Sequence, residues 1–262
     1  MRKILRLTLL TMLLNVMFPS ELFAASYGWG YKKNYENKIP DIGKYAQIIE
    51  GYPAYYIDDS GEKVIYFTFD NGYEMGYTEK ILDVLQQEKV PATFFLTGHY
   101  IDEEPELVKR MVDDGHIIGN HSNNHPDFTT LSKEKMKIEL ETLEEKVKEV
   151  ADQDEFIYFR PPRGTFNEQT LAWLDELGYV HVFWSVAFKD WIADEEKGWR
   201  YAYDQIMKQV HPGAIILLHT VSPDNANALE RVIQDLKKDG YSFKSLDDLM
   251  LKKTLPDILQ IH

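Results

Sequence analysis

Five short motifs lie in order between residues 68 and 220: Thr68-Phe69-Asp70-Asn71-Gly72, His121-Ser122-Asn123-Asn124-His125, Arg160-Pro161-Pro162-Arg163-Gly164, Asp190-Trp191 and Leu218-His219-Thr220. Together they hold a carboxylate, two imidazoles four residues apart, two guanidiniums, a second carboxylate and a third imidazole. Gathered at one place, these groups could hydrate an amide with a metal-bound water. That reaction needs ligands for the ion, a base for the water, a cation to orient the base and an acid for the leaving amine.

Each motif also has a plainer reading. Asp70 could be a general base and the Asn71 oxygen a weak metal ligand, or the two could form an Asx turn at a strand end, with Gly72 easing the bend. His121 and His125 can chelate one divalent ion, and Gly119 before and Pro126 after place them on a loop or single turn. In the Arg160–Arg163 motif the prolines stiffen a turn that could present two guanidiniums at fixed angles. One would orient Asp70 and keep it ionised, the other would meet a substrate anion; a plain turn with solvated arginines is the alternative. His219 ends an apolar run, where a charged group is costly unless it reaches a cleft. There it could protonate a leaving amine, with Asp190 raising its pKa. Tyr73, Trp184 and Trp191 could stack on a sugar face, though such aromatics often belong to a core.

The elements that must position these groups are legible. Apolar, β-branched runs recur at 64–69, 92–96, 116–119, 156–159, 180–184, 214–218 and 241–243. Amphipathic helix-length segments separate them at 77–88, 105–114, 132–151, 167–177, 199–210 and 224–238, the first with Tyr77, Ile81, Val84 and Leu85 on one stripe. Strand followed by helix, about seven times, predicts an α/β fold: a distorted (β/α) barrel of about seven parallel strands rather than an open dinucleotide-binding sheet, since no Gly-rich turn follows an early strand. Every motif falls at or just after a strand's carboxyl end, where barrel active sites are built. Residues 26–62, with Gly28, Trp29, Gly30, Pro40, Gly51 and Pro53, lack this rhythm and read as an irregular extension packed on the barrel.

At the start, Met1-Arg2-Lys3 and Arg6 precede an apolar stretch over 4–18 and the small residues Ala24-Ala25-Ser26. This predicts an export signal over residues 1–25, too short to span a membrane, so no stable span is expected after cleavage. A catalytic domain over 63–251 and a tail over 252–262 complete the expected division. The chain has no cysteine, which excludes disulfides. Losing Arg2, Lys3, Arg6 and Glu21 takes the formal charge from −14 to −16, which makes nucleic acid an improbable partner. A monomer is expected.

Taken together, the five motifs resemble the polysaccharide deacetylase family, whose catalytic domain is a distorted (β/α) barrel, and the resemblance covers roughly residues 63–251. It implies that Asp70 is the catalytic base, that His121 and His125 bind the metal, that Arg160 orients the base and that Asp190 tunes the acid His219. Thr68-Phe69-Asp70-Asn71-Gly72-Tyr73-Glu74, Gly119-Asn120-His121, Phe183-Trp184-Ser185-Val186-Ala187-Phe188 and Lys244-Ser245-Leu246-Asp247-Asp248-Leu249 look most like the spore-cortex muramic-δ-lactam branch. That branch implies de-N-acetylation of N-acetylmuramic acid in peptidoglycan glycan strands, with zinc as the expected ion. Most of the family carries aspartate where this chain has Asn71, so the resemblance implies a weak, exchangeable site. Arg163 is the candidate for the lactyl carboxylate. A non-catalytic wall-glycan-binding protein on the same fold is the alternative; a glycosidase is disfavoured because Asp70 lacks a carboxylate partner.

Overall fold

The computed structural model describes residues 25–192 and 195–254. All but the last residue of the expected export signal lies outside them. Within the extension stand β1 (Tyr27–Gly28), α1 (Tyr45–Ile49) and β2 (Ala54–Tyr55). The alternation then begins with β3 (Val64–Asn71), α2 (Thr78–Glu88), β4 (Ala92–Leu96), α3 (Gly98–Glu103), α4 (Pro105–Asp113) and β5 (Ile117–Asn120). It continues with α5 (Lys133–Val150), β6 (Tyr158–Phe159), β7 (Thr165–Phe166), α6 (Glu168–Glu176), β8 (Val180–Val182) and α7 (Trp199–Met207). The last elements are β9 (Ala214–His219), α8 (Pro223–Lys238), β10 (Ser242–Phe243) and α9 (Leu246–Thr254).

All seven expected strands form, and β2 adds an eighth to the same sheet. Every pairing within it is parallel. β3 is its centre: β9 runs along one edge, while β10 takes the start of the other and β4 the remainder. Buried on both sides, β3 has no exposed residue, which is why its sequence is almost continuously apolar rather than alternating. From β4 the sheet curls through β5, β6 and β8 to β2. The remaining gap to β9 is crossed only by two isolated bridges among the described residues, Ile57 to Ala214 and Val186 to Ile216, so the barrel is distorted as expected.

Four of the helices start where a capping side chain meets their free N–H groups. Thr97, Ser132 and Ser222 cap α3, α5 and α8, and Asn167 and Thr170 form a reciprocal capping box on α6. Such caps are worth about 1 kcal/mol each. Glu74 does the same for α2, accepting from the backbone N–H groups of Gly76, Tyr77 and Thr78. Inside the helical ring the main core includes Ile65, Phe67 and Phe69 of β3, Phe94 of β4 and Leu229 and Val232 of α8.

The extension has its own core. Trp29, Ile42 and Ile49 pack on Phe166, Leu171 and Phe183 of the barrel wall. β1 pairs antiparallel with β7, and β2 pairs parallel with β8. Sequence rhythm missed these strands because two-residue strands carry no periodicity.

Candidate active site

The carboxyl ends of β3, β5, β6 and β9 open into one cleft of about 850 Å³. Asp70, Tyr73, His121, His125, Arg163, Trp184, Trp191 and His219 all line it. Arg160 and Asp190 stand directly behind, and Asn71 is turned away from it.

Arg160 is the hub. Fully buried at the end of β6, it donates through Nη1 to Asp70 Oδ1 at 2.7 Å, through Nη2 to Thr68 Oγ1 at 2.8 Å and through Nε to the Val182 carbonyl at 3.0 Å. Its guanidinium carbon lies 4.1 Å from the Phe95 ring centre. Three bonds and a flat aromatic neighbour leave it one orientation, which a lysine could not reproduce. Burial pushes the Asp70 carboxyl up, but the charge and hydrogen bond of Arg160, with the charge of His219, outweigh it and hold the group below its ordinary value. Asp70 is therefore an ionised base in a nearly dry site.

The two imidazoles converge without a helical turn. Ser122 and His125 both adopt left-handed backbone, with φ of 68° and 56°. The loop is held by Ser122 N–H on Asn120 Oδ1 and His125 N–H on Ser122 Oγ, each at 2.9 Å. The ring centres of His121 and His125 come within 4.9 Å. His121 Nδ1 lies 2.7 Å from the Arg160 carbonyl, which can only accept, so this nitrogen carries the proton and Nε2 keeps its lone pair. That lone pair faces Asp70 Oδ2 at 3.6 Å, acceptor against acceptor. Burial holds both imidazoles neutral, His125 pushed down to about 4. Two neutral imidazoles, one with its tautomer fixed by a backbone carbonyl, are two of the donors a divalent cation takes, and among the described residues no third histidine, cysteine or carboxylate completes a metal-holding group with them.

Asn71 follows Asp70 on the strand, so its side chain takes the opposite face. Its Nδ2 donates to Thr220 Oγ1 at 2.8 Å, and its Oδ1 is buried without a hydrogen-bond partner among the described residues. An orphaned buried acceptor costs about 1–3 kcal/mol, so a site that leaves one open is notable.

His219 ends β9 and is the register partner of Asp70 on β3, so base and imidazole face the cleft side by side. Its Nδ1 lies 2.8 Å from Asp190 Oδ1, and its backbone N–H donates to Asp190 Oδ2. Burial would lower the His219 pKa, but Asp190, by charge and hydrogen bond, outweighs it and Asp70 adds to the rise. Asn225, in the first turn of α8, donates to both Asp190 Oδ2 and the His219 carbonyl. Trp191 sits over the imidazole, ring centres 5.6 Å apart, and is half exposed.

Around the rim, Tyr73 is exposed and meets His99 edge-on. Arg163 sits at φ 59° in a left-handed turn, is exposed, and has no ion pair among the described residues. Lys146, on the cleft wall, is paired with Asp102 at 2.6 Å.

Sequence reasoning missed Thr68, Asn225 and Trp29. Thr68 had a signal, since a residue two before Asp70 shares its strand face and can help hold the same arginine. Asn225 and Trp29 had none, because their partners lie 35 and 155 residues away.

Comparisons with known proteins agree with this geometry. Residues 58–182 match the polysaccharide deacetylase family model, a stretch that stops short of Asp190 and His219. The peptidoglycan-N-acetylmuramic acid deacetylase PdaA of Bacillus subtilis is 53% identical over 87% of this chain and 87% of its own. The solved structure of Bacillus subtilis PdaA, a family 4 carbohydrate esterase, superposes with a TM-score of 0.85 at 52% identity, covering 87% of this chain and 98% of that one. A family 4 carbohydrate esterase from Bacillus anthracis gives a TM-score of 0.72 at 49% identity, over 86% and 96% of the two chains. With the motifs, the barrel and relatives matched over nearly their full length, the chain belongs to the polysaccharide deacetylase family.

Proposed function

We propose that this protein removes the acetyl group from N-acetylmuramic acid residues of peptidoglycan glycan strands, releasing acetate. The observation that carries the reading is the register pairing of Asp70, bonded to Arg160, with His219, bonded to Asp190, beside two imidazoles. A protein that only bound glycan would have no use for a base and an acid of opposite charge state side by side.

His121 and His125 would hold one divalent ion, zinc by the nature of the donors; Asn71, expected from the sequence as a third donor, lies on the opposite strand face against Thr220 and is not placed to join them. When bound, the ion would polarise the acetamide carbonyl and acidify a water at its open position. Asp70, kept ionised by Arg160, accepts the proton of the attacking water. His219, kept protonated by Asp190, gives its proton to the amine nitrogen as the C–N bond breaks, so that acetate and a free sugar amine leave. Trp184, Trp191 and Tyr73 supply faces for sugar rings. Arg163, a rim cation with no ion pair among the described residues, reads the lactyl carboxylate that muramic acid has and glucosamine lacks.

In this reading residues 1–25 direct export, 26–62 brace the barrel, 63–251 form the catalytic domain and 252–262 the tail, although α9 reaches Thr254. Among the described residues no helix is long and apolar enough to cross a membrane. The free amine beside a lactyl carboxylate is the pair from which a muramic δ-lactam closes, so the product suits spore cortex.

The test is acetate release from defined peptide-free glycans. Expected is turnover on muramic substrates, a fall of roughly tenfold or more in Arg163→Ala on these alone, and loss on chelation. An equal loss on glucosamine oligomers would remove Arg163 from lactyl recognition. No acetate from either glycan would leave the binding-protein reading.

A further inference from the structure

The family model begins at residue 58, yet one side chain upstream of it touches both candidate substrate-reading elements of the cleft. Trp29 lies in the extension just after β1 and is 8% exposed. Its backbone N–H donates to the Gly164 carbonyl at 2.8 Å, and its indole Nε1–H donates to the Trp184 carbonyl at 3.0 Å. Beneath, the indole stacks on Phe183 with ring centres 4.2 Å apart and an interplanar angle of 17°. Between Trp29 and Trp184 sits Gly164, where an added Cβ would come within 2.9 Å of the Trp184 ring and 3.3 Å of Trp29 Cβ.

We propose that Trp29 is a positioning residue that sets the cleft's discrimination between muramic and glucosamine residues, by fixing the Arg163–Gly164 turn and the backbone of Trp184. The inference rests on the function proposed above. Two consecutive left-handed residues, Arg163 at φ 59° and Gly164 at φ 66°, form a turn that the chain does not adopt unaided. Pairing of β1 with β7 and the Trp29 N–H bond hold it from one side. The Gly164–Trp184 contact holds it from the other. With the turn fixed, the Arg163 guanidinium meets a carboxylate at one place relative to the sugar-stacking Trp184 ring, and that fixed separation distinguishes a lactyl ether from a bare hydroxyl. Asp70, Arg160, His121 and His219 make none of the Trp29 contacts; the nearest link is the Arg160 guanidinium, 5.6 Å from the Trp184 ring centre, and Arg160 is held independently by Asp70, Thr68 and Val182.

The experiment compares kcat and KM for acetate release from a peptide-free muramic glycan and a chitooligosaccharide of equal length. The proteins are the unaltered enzyme, Trp29→Phe and Trp29→Ala, with thermal melts beside them. Trp29→Phe keeps the stack on Phe183 and loses only the indole donor. It is expected to raise KM on the muramic glycan about 2- to 10-fold, with kcat and Tm near those of the unaltered enzyme. Trp29→Ala is expected to lower the muramic-to-glucosamine ratio of kcat/KM by roughly tenfold or more. Equal losses on both glycans, or an unchanged KM in Trp29→Phe, would overturn the inference; if the alanine variant does not fold, the phenylalanine variant decides alone. An unaltered enzyme inactive on muramic glycan would overturn the function and the inference together. Normal wild-type selectivity retained in the variants overturns the inference only.

Discussion

Asp70 and His219 are register partners on the neighbouring parallel strands β3 and β9, and both face the cleft. The sheet itself therefore fixes the distance between base and acid, at the roughly 4.8 Å spacing of adjacent strands. What differs between them is environment: Arg160 on one side, Asp190 on the other.

The pH profile follows from that difference. With its pKa raised, His219 stays protonated above the ordinary histidine value, so the basic limb of kcat lies above about 6.5. In Asp190→Asn that limb moves to lower pH and kcat at pH 8 falls, read as acetate release across a pH series. The same pair affects stability. Its contribution is complete below the unfolded histidine pKa and disappears as pH rises through the raised folded value. A basic limb that stays in place in Asp190→Asn would show that His219 is not the proton donor.

Removing Arg160 should damage fold and reaction together. Arg160→Ala leaves Asp70 buried without its partner, a change expected to cost about 3–5 kcal/mol in denaturant unfolding. Arg160→Lys keeps the charge but cannot make all three side-chain bonds, so it should retain most of the stability while kcat drops on the order of 10²-fold. A lysine variant with full turnover would show that orientation of the base does not matter.

The proposed metal site is tested by chelation and by substitution at Asn71. Chelation should abolish acetate release, and added divalent zinc should restore it. With its side chain on the strand face away from His121 and His125, Asn71→Asp should leave metal affinity within about tenfold in competition with a chromogenic chelator. A gain of roughly 10- to 100-fold would place Asn71 in the donor set despite its bond to Thr220.

Acid should destabilise the fold through two histidines remote from the chemistry. Burial pushes His116 and His181 down to about 4, while both return to about 6.5 on unfolding. The unfolded chain therefore binds more protons between those values, and stability falls as pH drops from 6.5 toward 4, by up to roughly 3 kcal/mol for each group. Urea midpoints at pH 7 and pH 5 measure it. His181→Phe, which seats a ring between Phe159 and Phe183, should flatten the dependence.

The sequence by itself determined the strand and helix alternation, because buried parallel strands must be continuously apolar and their helices must keep one apolar stripe. It also determined which residue types stand at the strand ends, and thus the chemistry available there. Pattern could not reveal the strands β1 and β2, the Trp29 brace or the hold of Asn225 on Asp190 and His219, since each is a contact between segments that share no local signal. Only the tertiary structure decided that Asp70 faces the cleft while Asn71 turns toward Thr220, that two left-handed residues bring His121 and His125 together, and that one arginine serves base, strand and imidazole at once. Residue type sets what a group can do; burial and neighbours, which come from folding, set its charge state and where it points.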